Sequence, residues 1–171
     1  MSDILLYLSR MSFDRAIELG QQTHHTVKGY VISDLLLHYG CEIAYELKKF
    51  NKLVIADLPL IGTPKNILNS LRVLISGGVD LASIHYQVDY VPPDKFLPNC
   101  ILSVVDAAPE SLNSLVNGSK YPYLICKNQQ LAILANARQK KLIVTNQNLE
   151  PGTEDFLIQD WWTFLDKRLI D

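Results

Sequence analysis

Apolar residues in this chain follow two rhythms that take turns. Short continuous runs rich in Ile, Val and Leu recur at Ile4–Leu8, Val27–Ile32, Leu53–Ala56, Leu81–Ile84, Ile101–Val105, Tyr123–Cys126, Leu142–Thr145 and Phe156–Ile158. Such runs are expected of parallel strands covered on both faces. Between several of them the period lengthens to that of a helix. Phe13 to Leu19 is one such stretch, and Tyr39 to Phe50 another, with Ile43, Ala44, Leu47 and Phe50 on one face. The clearest begins at Thr63 as N-cap and Pro64 in the first turn, buries Ile67, Leu68, Leu71, Leu74 and Ile75, and stops at Gly77-Gly78. Pro109 to Val116, Gln129 to Ala137 and Trp161 to Leu169 complete the helical set.

Alternation of strand and helix predicts a parallel sheet, and eight strand runs predict one α/β domain over residues 1–171, a compact (β/α)8 TIM-type barrel. The helices are too few for a full set of crossovers. Tyr86 to Cys100 carries Pro92-Pro93 and Pro98, and Asn146 to Asp155 carries Pro151-Gly152; neither leaves room for a covering helix. Barrels usually run to about 200 residues or more, so some crossover helices are expected to be missing or stunted. Bare outer strand faces would be large apolar patches, which predicts self-association or a covering partner.

Composition narrows the class without naming an activity. The chain has 171 residues, 48% hydrophobic and 20% charged, with a formal net charge of −2. That is neither the basic excess of a nucleic-acid binder nor a disordered composition. No apolar run approaches the length of a membrane span, and Arg10 comes too early for a signal peptide. Cys41, Cys100 and Cys126 are odd in number and far apart, which argues against a disulfide framework or a thiolate zinc site. The expectation is a cytoplasmic protein, without nucleic-acid or membrane partners.

In a barrel, chemistry collects at the C-terminal strand ends. The polar residues there are Ser9 and Arg10, Asp57, His85, Asp106, Lys127 and Asn128, Thr145 and Asn146, and Asp160. Asp57 reads as an electrostatic or general-base carboxylate, or as a plain strand-end or helix-cap aspartate. His85 reads first as a core or loop-anchoring histidine, and as a catalytic candidate second. Asp57, His85 and Asp106 together have the donor types of a divalent-metal set, although no metal or other cofactor is expected on present grounds. Lys127 either neutralises Asp57, meets an anionic ligand, or is a rim charge. His24-His25 reads as solvated surface, and Trp161-Trp162 as core or interface. The loops after the seventh and eighth strands lack the glycines and arginine of a phosphate cradle. No Walker loop, dinucleotide fingerprint or nucleophile elbow is present.

Val27-Lys-Gly-Tyr30, Gly40-Cys-Glu-Ile-Ala-Tyr-Glu-Leu-Lys-Lys49, Leu53-Val-Ile-Ala-Asp57 and Gly78-Val-Asp-Leu-Ala-Ser-Ile-His85 together resemble the orotidine 5′-monophosphate decarboxylase family. The resemblance is best from the second to the fourth strand and colinear to the end. It implies a (β/α)8 barrel, a homodimer with active sites at the subunit interface, and a nucleotide or other phosphorylated small molecule as ligand. The family's motif on the third strand is D-x-K-x-x-D-I-P-x-T. Its first Asp falls on Asp57 and its proline on Pro64. Its lysine, which protonates the carbanion left by carbon dioxide loss, falls on Pro59. Its second Asp falls on Gly62 and its threonine on Asn66. The further lysine at the second strand falls near Tyr30, with Lys28 close by, and the phosphate-gripping arginine falls near Trp161.

These departures predict a member of that family with impaired catalysis, acting as a ligand-binding or partner protein, paired with itself or with an intact paralogue through the helix at Pro64. One alternative is an active decarboxylase of pyrimidine biosynthesis in which Lys28 or Lys127 replaces the lost lysine. A second is another barrel enzyme built on Asp57, His85 and Asp106.

Overall fold

The computed structural model describes residues 3–127, 130, 140–145 and 156–168; the helix expected over Gln129–Ala137 and the loop at 146–155 lie outside the described residues. The described order is β1 (Asp3–Leu8), α1 (Phe13–Thr23), β2 (Gly29–Ile32), α2 (Asp34–Tyr39), α3 (Glu42–Lys48), β3 (Leu53–Leu60), α4 (Pro64–Ser76), β4 (Leu81–His85), β5 (Cys100–Ser103), α5 (Pro109–Gly118), β6 (Tyr123–Lys127), β7 (Lys141–Thr145), β8 (Phe156–Asp160) and α6 (Trp161–Arg168). The eight strands close a parallel barrel in sequence order, with β1 pairing both β2 and β8.

Alternation along the strands sorts their apolar residues into two cores. Leu5, Val31, Ile55, Leu81, Ile101, Ile125, Ile143 and Ile158, one from each strand, fill the barrel interior with Phe156. Their neighbours Leu6, Tyr30, Val54, Ala82, Leu102, Leu124 and Val144 face outward into the shell of helices. Strands buried on both faces thus need apolar residues at nearly every position, which is why they read as near-continuous runs.

Helix boundaries follow capping chemistry. The Ser12 hydroxyl accepts from the Arg15 backbone N–H at 3.2 Å and starts α1. Thr63 does the same for Asn66 at 3.4 Å, with Pro64 at the first turn of α4, as its sequence predicts. The helix expected over Tyr39–Phe50 forms as α3, shorter at both ends and burying Ile43, Ala44 and Leu47, and an additional short helix, α2, precedes it. Gly40, at φ 62°, closes α2 and separates it from α3. Glycine adopts this left-handed state without the penalty a Cβ incurs.

The β4–β5 connection lacks a crossover helix, as expected; it holds only a single 3-10 turn at Leu97–Asn99. The predicted bare outer face, however, is covered. Tyr86, Val88, Tyr90 and Leu97 of the connection pack against the outer core. The Tyr121 hydroxyl pins this cover by donating to the Tyr90 carbonyl at 2.8 Å. Among the described residues, no helix is long and apolar enough to cross a membrane.

Candidate functional site

The inward phase of each strand, continued toward its C-terminal end, sets the rim of the barrel. It brings Tyr7, Ser33, Asp57, His85, Lys127, Thr145 and Asp160 to one mouth. Tyr7 stands beside Asp160 in the β1–β8 register, and Lys127 beside Thr145 in β6–β7.

Asp57 lies where β3 departs from regular pairing. Between Ala56 and Leu60 the strand advances four positions while β4 advances two, from Ala82 to Ile84. Pro59 falls inside this bulge; it has no N–H to give to a ladder, so regular pairing cannot continue through it. The Asp57 carboxylate receives one long contact, from the Ser83 hydroxyl at 3.5 Å; that hydroxyl lies closer to the Ala56 carbonyl, at 3.3 Å. Burial raises the Asp57 carboxyl above its ordinary range, and the Ser83 hydroxyl only partly offsets this. No cation pairs with Asp57 among the described residues.

Tyr7 is the centre of the acidic side of the mouth. Burial raises its phenol most, the Ser33 hydroxyl pulls the other way, and the charges of Asp57, Asp34 and Asp160 raise it further. Asp34 opens α2 and accepts the Arg10 backbone N–H on Oδ2 at 2.7 Å. The Trp161 indole donates to the Ser9 carbonyl at 3.2 Å, tying α6 to the end of β1. Between these elements lies a cavity of about 480 Å³ lined by Tyr7, Ser9, Arg10, Asp34, Asp160 and Trp162. Tyr7, Ser33, Asp34 and Ser83 were absent from the expected set. Counting on by two from Leu5, Val31 and Leu81 reaches three of them; Asp34 is one step out of that phase.

The other expected residues are used differently. Lys127 reaches the mouth, where its ammonium meets Asp106 at 3.3 Å. Asp106 is one residue out of the inward phase, and its side chain is 73% exposed, so it belongs to the outer rim. Gln130, which sequence reasoning passed over, accepts from the Lys127 backbone N–H at 2.9 Å and donates to the Val104 carbonyl at 2.9 Å, locking β5 to β6. His85 stacks on Tyr86 at 4.7 Å, and its Nδ1 accepts from the Gln87 N–H at 3.2 Å; it anchors the loop after β4. Among the described residues, no three His, Cys, Asp or Glu side chains form a metal-ligand group, so Asp57, His85 and Asp106 do not make the considered set.

Lys28 has to be removed from the mouth altogether. It precedes β2 at the N-terminal end of the barrel, where its N–H donates to the Ile4 carbonyl at 2.8 Å and its ammonium lies 3.5 Å from Asp3. A strand of four residues separates it from the rim. Tyr30 faces the outer shell and donates its hydroxyl to the Gly20 carbonyl at 2.8 Å.

No protein-family model and no curated protein matches the chain. Solved structures do match. Orotidine 5′-monophosphate decarboxylase from Methanocaldococcus jannaschii superposes with a TM-score of 0.76 at 20% identity, covering 94% of this chain and 89% of that one. Orotidine 5′-phosphate decarboxylase from Pyrococcus horikoshii OT3 gives 0.75 at 18%, covering 92% and 88%. The 3-hexulose-6-phosphate synthase of Salmonella typhimurium gives 0.70 at 13%, covering 92% and 88%. The likeness is one of fold. It spans nearly the whole chain, and it extends to barrels with different named reactions.

Proposed function

We propose that this chain is a small-molecule-binding barrel on the decarboxylase-like frame that has lost the machinery for decarboxylating orotidylate. The observation that carries this is Asp57, a half-buried rim carboxylate with no cation partner among the described residues, with Pro59 in a bulge where the resemblance would put the proton donor.

Loss of carbon dioxide without a cofactor leaves a carbanion that must be stabilised by a pre-organised charged array and then protonated. Proline supplies neither charge nor proton. Lys28 is at the wrong end of the barrel, and Lys127 is engaged by Asp106. Each missing charged element is worth on the order of 10²-fold or more in rate, so several losses together remove useful turnover.

Orotidylate decarboxylation is followed by the fall in ultraviolet absorbance of the substrate. Pure folded protein is expected to give no fall above the buffer rate. Turnover would overturn the proposal, and its loss in Lys127→Ala would assign the proton donor to Lys127.

A further inference from the structure

We infer that the protein carries a second ligand site, at the N-terminal end of the barrel away from the mouth, and that this site takes a small planar aromatic carboxylate. It is a cleft of about 410 Å³ lined by Asp94, Leu97, Pro98, Lys120, Pro122 and Tyr123. None of these residues belongs to the mouth, so the inference goes beyond the function proposed above.

The cleft lies beside the link that lacks a crossover helix. Leu97 and Pro98 belong to the 3-10 turn that leads into β5, while Lys120 and Pro122 lie in the connection from α5 to β6. Tyr123 opens β6 and packs against the interior core at its lower end. Both walls are held in place. The Leu97 N–H donates to the Pro93 carbonyl at 3.2 Å, and the Asn99 amide to the Asp80 carbonyl at 2.9 Å. Across the cleft, the Lys140 ammonium donates to the Ser119 and Tyr121 carbonyls. The Tyr121 hydroxyl joins the two sides through the Tyr90 carbonyl. Small-molecule sites are concave, mostly apolar and largely pre-formed, with few polar groups. Two proline rings, a leucine and a phenol beside one lysine and one aspartate fit that description.

Charge sets the sign of the ligand. Lys120 is on the wall, and the Lys141 ammonium stands over the Tyr123 ring, 5.9 Å from its centroid. Lys140 holds the connection, and Lys95 follows Asp94, 5.0 Å over the Phe96 ring. None of these four lysines is in an ion pair among the described residues. Asp80, the acid nearest in the fold, is paired with Lys48 at 2.6 Å, which leaves Asp94 as the acid on the wall. In a chain with a formal net charge of −2, this end has a local excess of positive charge, and such a field draws in an anion. The flat apolar walls select the rest of the molecule. An aromatic ring fits against proline and tyrosine faces, with its carboxylate toward Lys120 and Lys141.

The test is calorimetric titration of the full chain with 2-naphthoate, and separately with 2-naphthylmethanol as its neutral analogue. Naphthoate is expected to bind, and the alcohol to bind more weakly by about fivefold or more. Lys120→Glu and Lys141→Glu change exposed side chains and so keep the fold. Each is expected to weaken naphthoate by about fivefold or more, whereas Asp94→Asn strengthens it. No binding by folded wild-type protein, or equal binding of the alcohol, would overturn the inference. So would unchanged naphthoate binding in Lys120→Glu, which would put the ligand elsewhere on the protein.

Discussion

Gly62→Ala tests how the junction between β3 and α4 is built. Gly62 sits at φ 142°, a backbone state that residues with a Cβ rarely adopt. Space is not the obstacle, since a Cβ placed there meets only Asn66 Cβ, at 3.8 Å, an ordinary contact. The penalty is therefore torsional, about 1–3 kcal/mol for a residue held in such a region. Gly118, the last residue of α5, is the control: a Cβ there meets nothing within 4 Å, and its backbone is outside the positive-φ region. Alanine at Gly118 is expected to be neutral or to gain up to about 1 kcal/mol. A domain of this size loses roughly 2–4 °C in melting temperature per kcal/mol. Gly62→Ala should thus melt roughly 2–12 °C below wild type, while Gly118→Ala melts at or above it. Thermal unfolding followed by circular dichroism reads both. Coincident melting of the two variants would refute the torsional argument. The same strain bears on chemistry, because an aspartate placed at Gly62 to rebuild the decarboxylase motif starts from that deficit.

Two further outcomes are expected. Burial holds the Asp57 carboxyl above its ordinary value of 3.8, so the folded chain binds that proton more tightly than the unfolded chain does. Its contribution to stability is fully present below pH 3.8 and is lost as pH rises through the raised folded value. Asp57→Asn should therefore raise the melting temperature at neutral pH and flatten its fall across that window; an unchanged slope would mean the carboxylate is solvated. Self-association is proposed through the exposed Leu37, Tyr45, Ile61 and Val73, carried by α2, α3, the β3–α4 link and α4. Sedimentation should show a dimer that Val73→Lys shifts toward monomer, and a wild-type monomer at micromolar concentration would count against it.

Strand positions were legible in the sequence because a parallel strand buried on both faces is apolar at most of its positions. All eight runs became strands, and Thr63-Pro64 opened a helix where capping chemistry requires one. The shorter elements were not legible. Asp34–Tyr39 is six residues with three consecutive leucines, too short for a helical period to show. Lys28 was a candidate through the resemblance alone; pairing of β2 begins at Gly29, which leaves Lys28 ahead of the strand and away from the mouth. At the mouth, attention to charged strand ends found Asp57, Lys127 and Asp160. It missed Tyr7 because an aromatic residue inside an apolar run looks like core. Asp34 was missed because its role depends on a loop conformation, with Arg10 at φ 55°, that no local pattern announces.

The helix-free link between β4 and β5 shows what a barrel strand needs on its outer side. Cys100 and Leu102 are as dry as residues beneath a full helix, at 0% and 5% exposure, although the connection that leads into their strand is a loop. What the strand requires is a few apolar side chains held in place, and Tyr86, Val88, Tyr90 and Leu97 meet that requirement once one phenol fixes their backbone. Closure of the sheet and completeness of its helical jacket are therefore separable quantities. A chain can shed part of the jacket, and with it much of its length, while the ring of strands that presents the mouth stays whole.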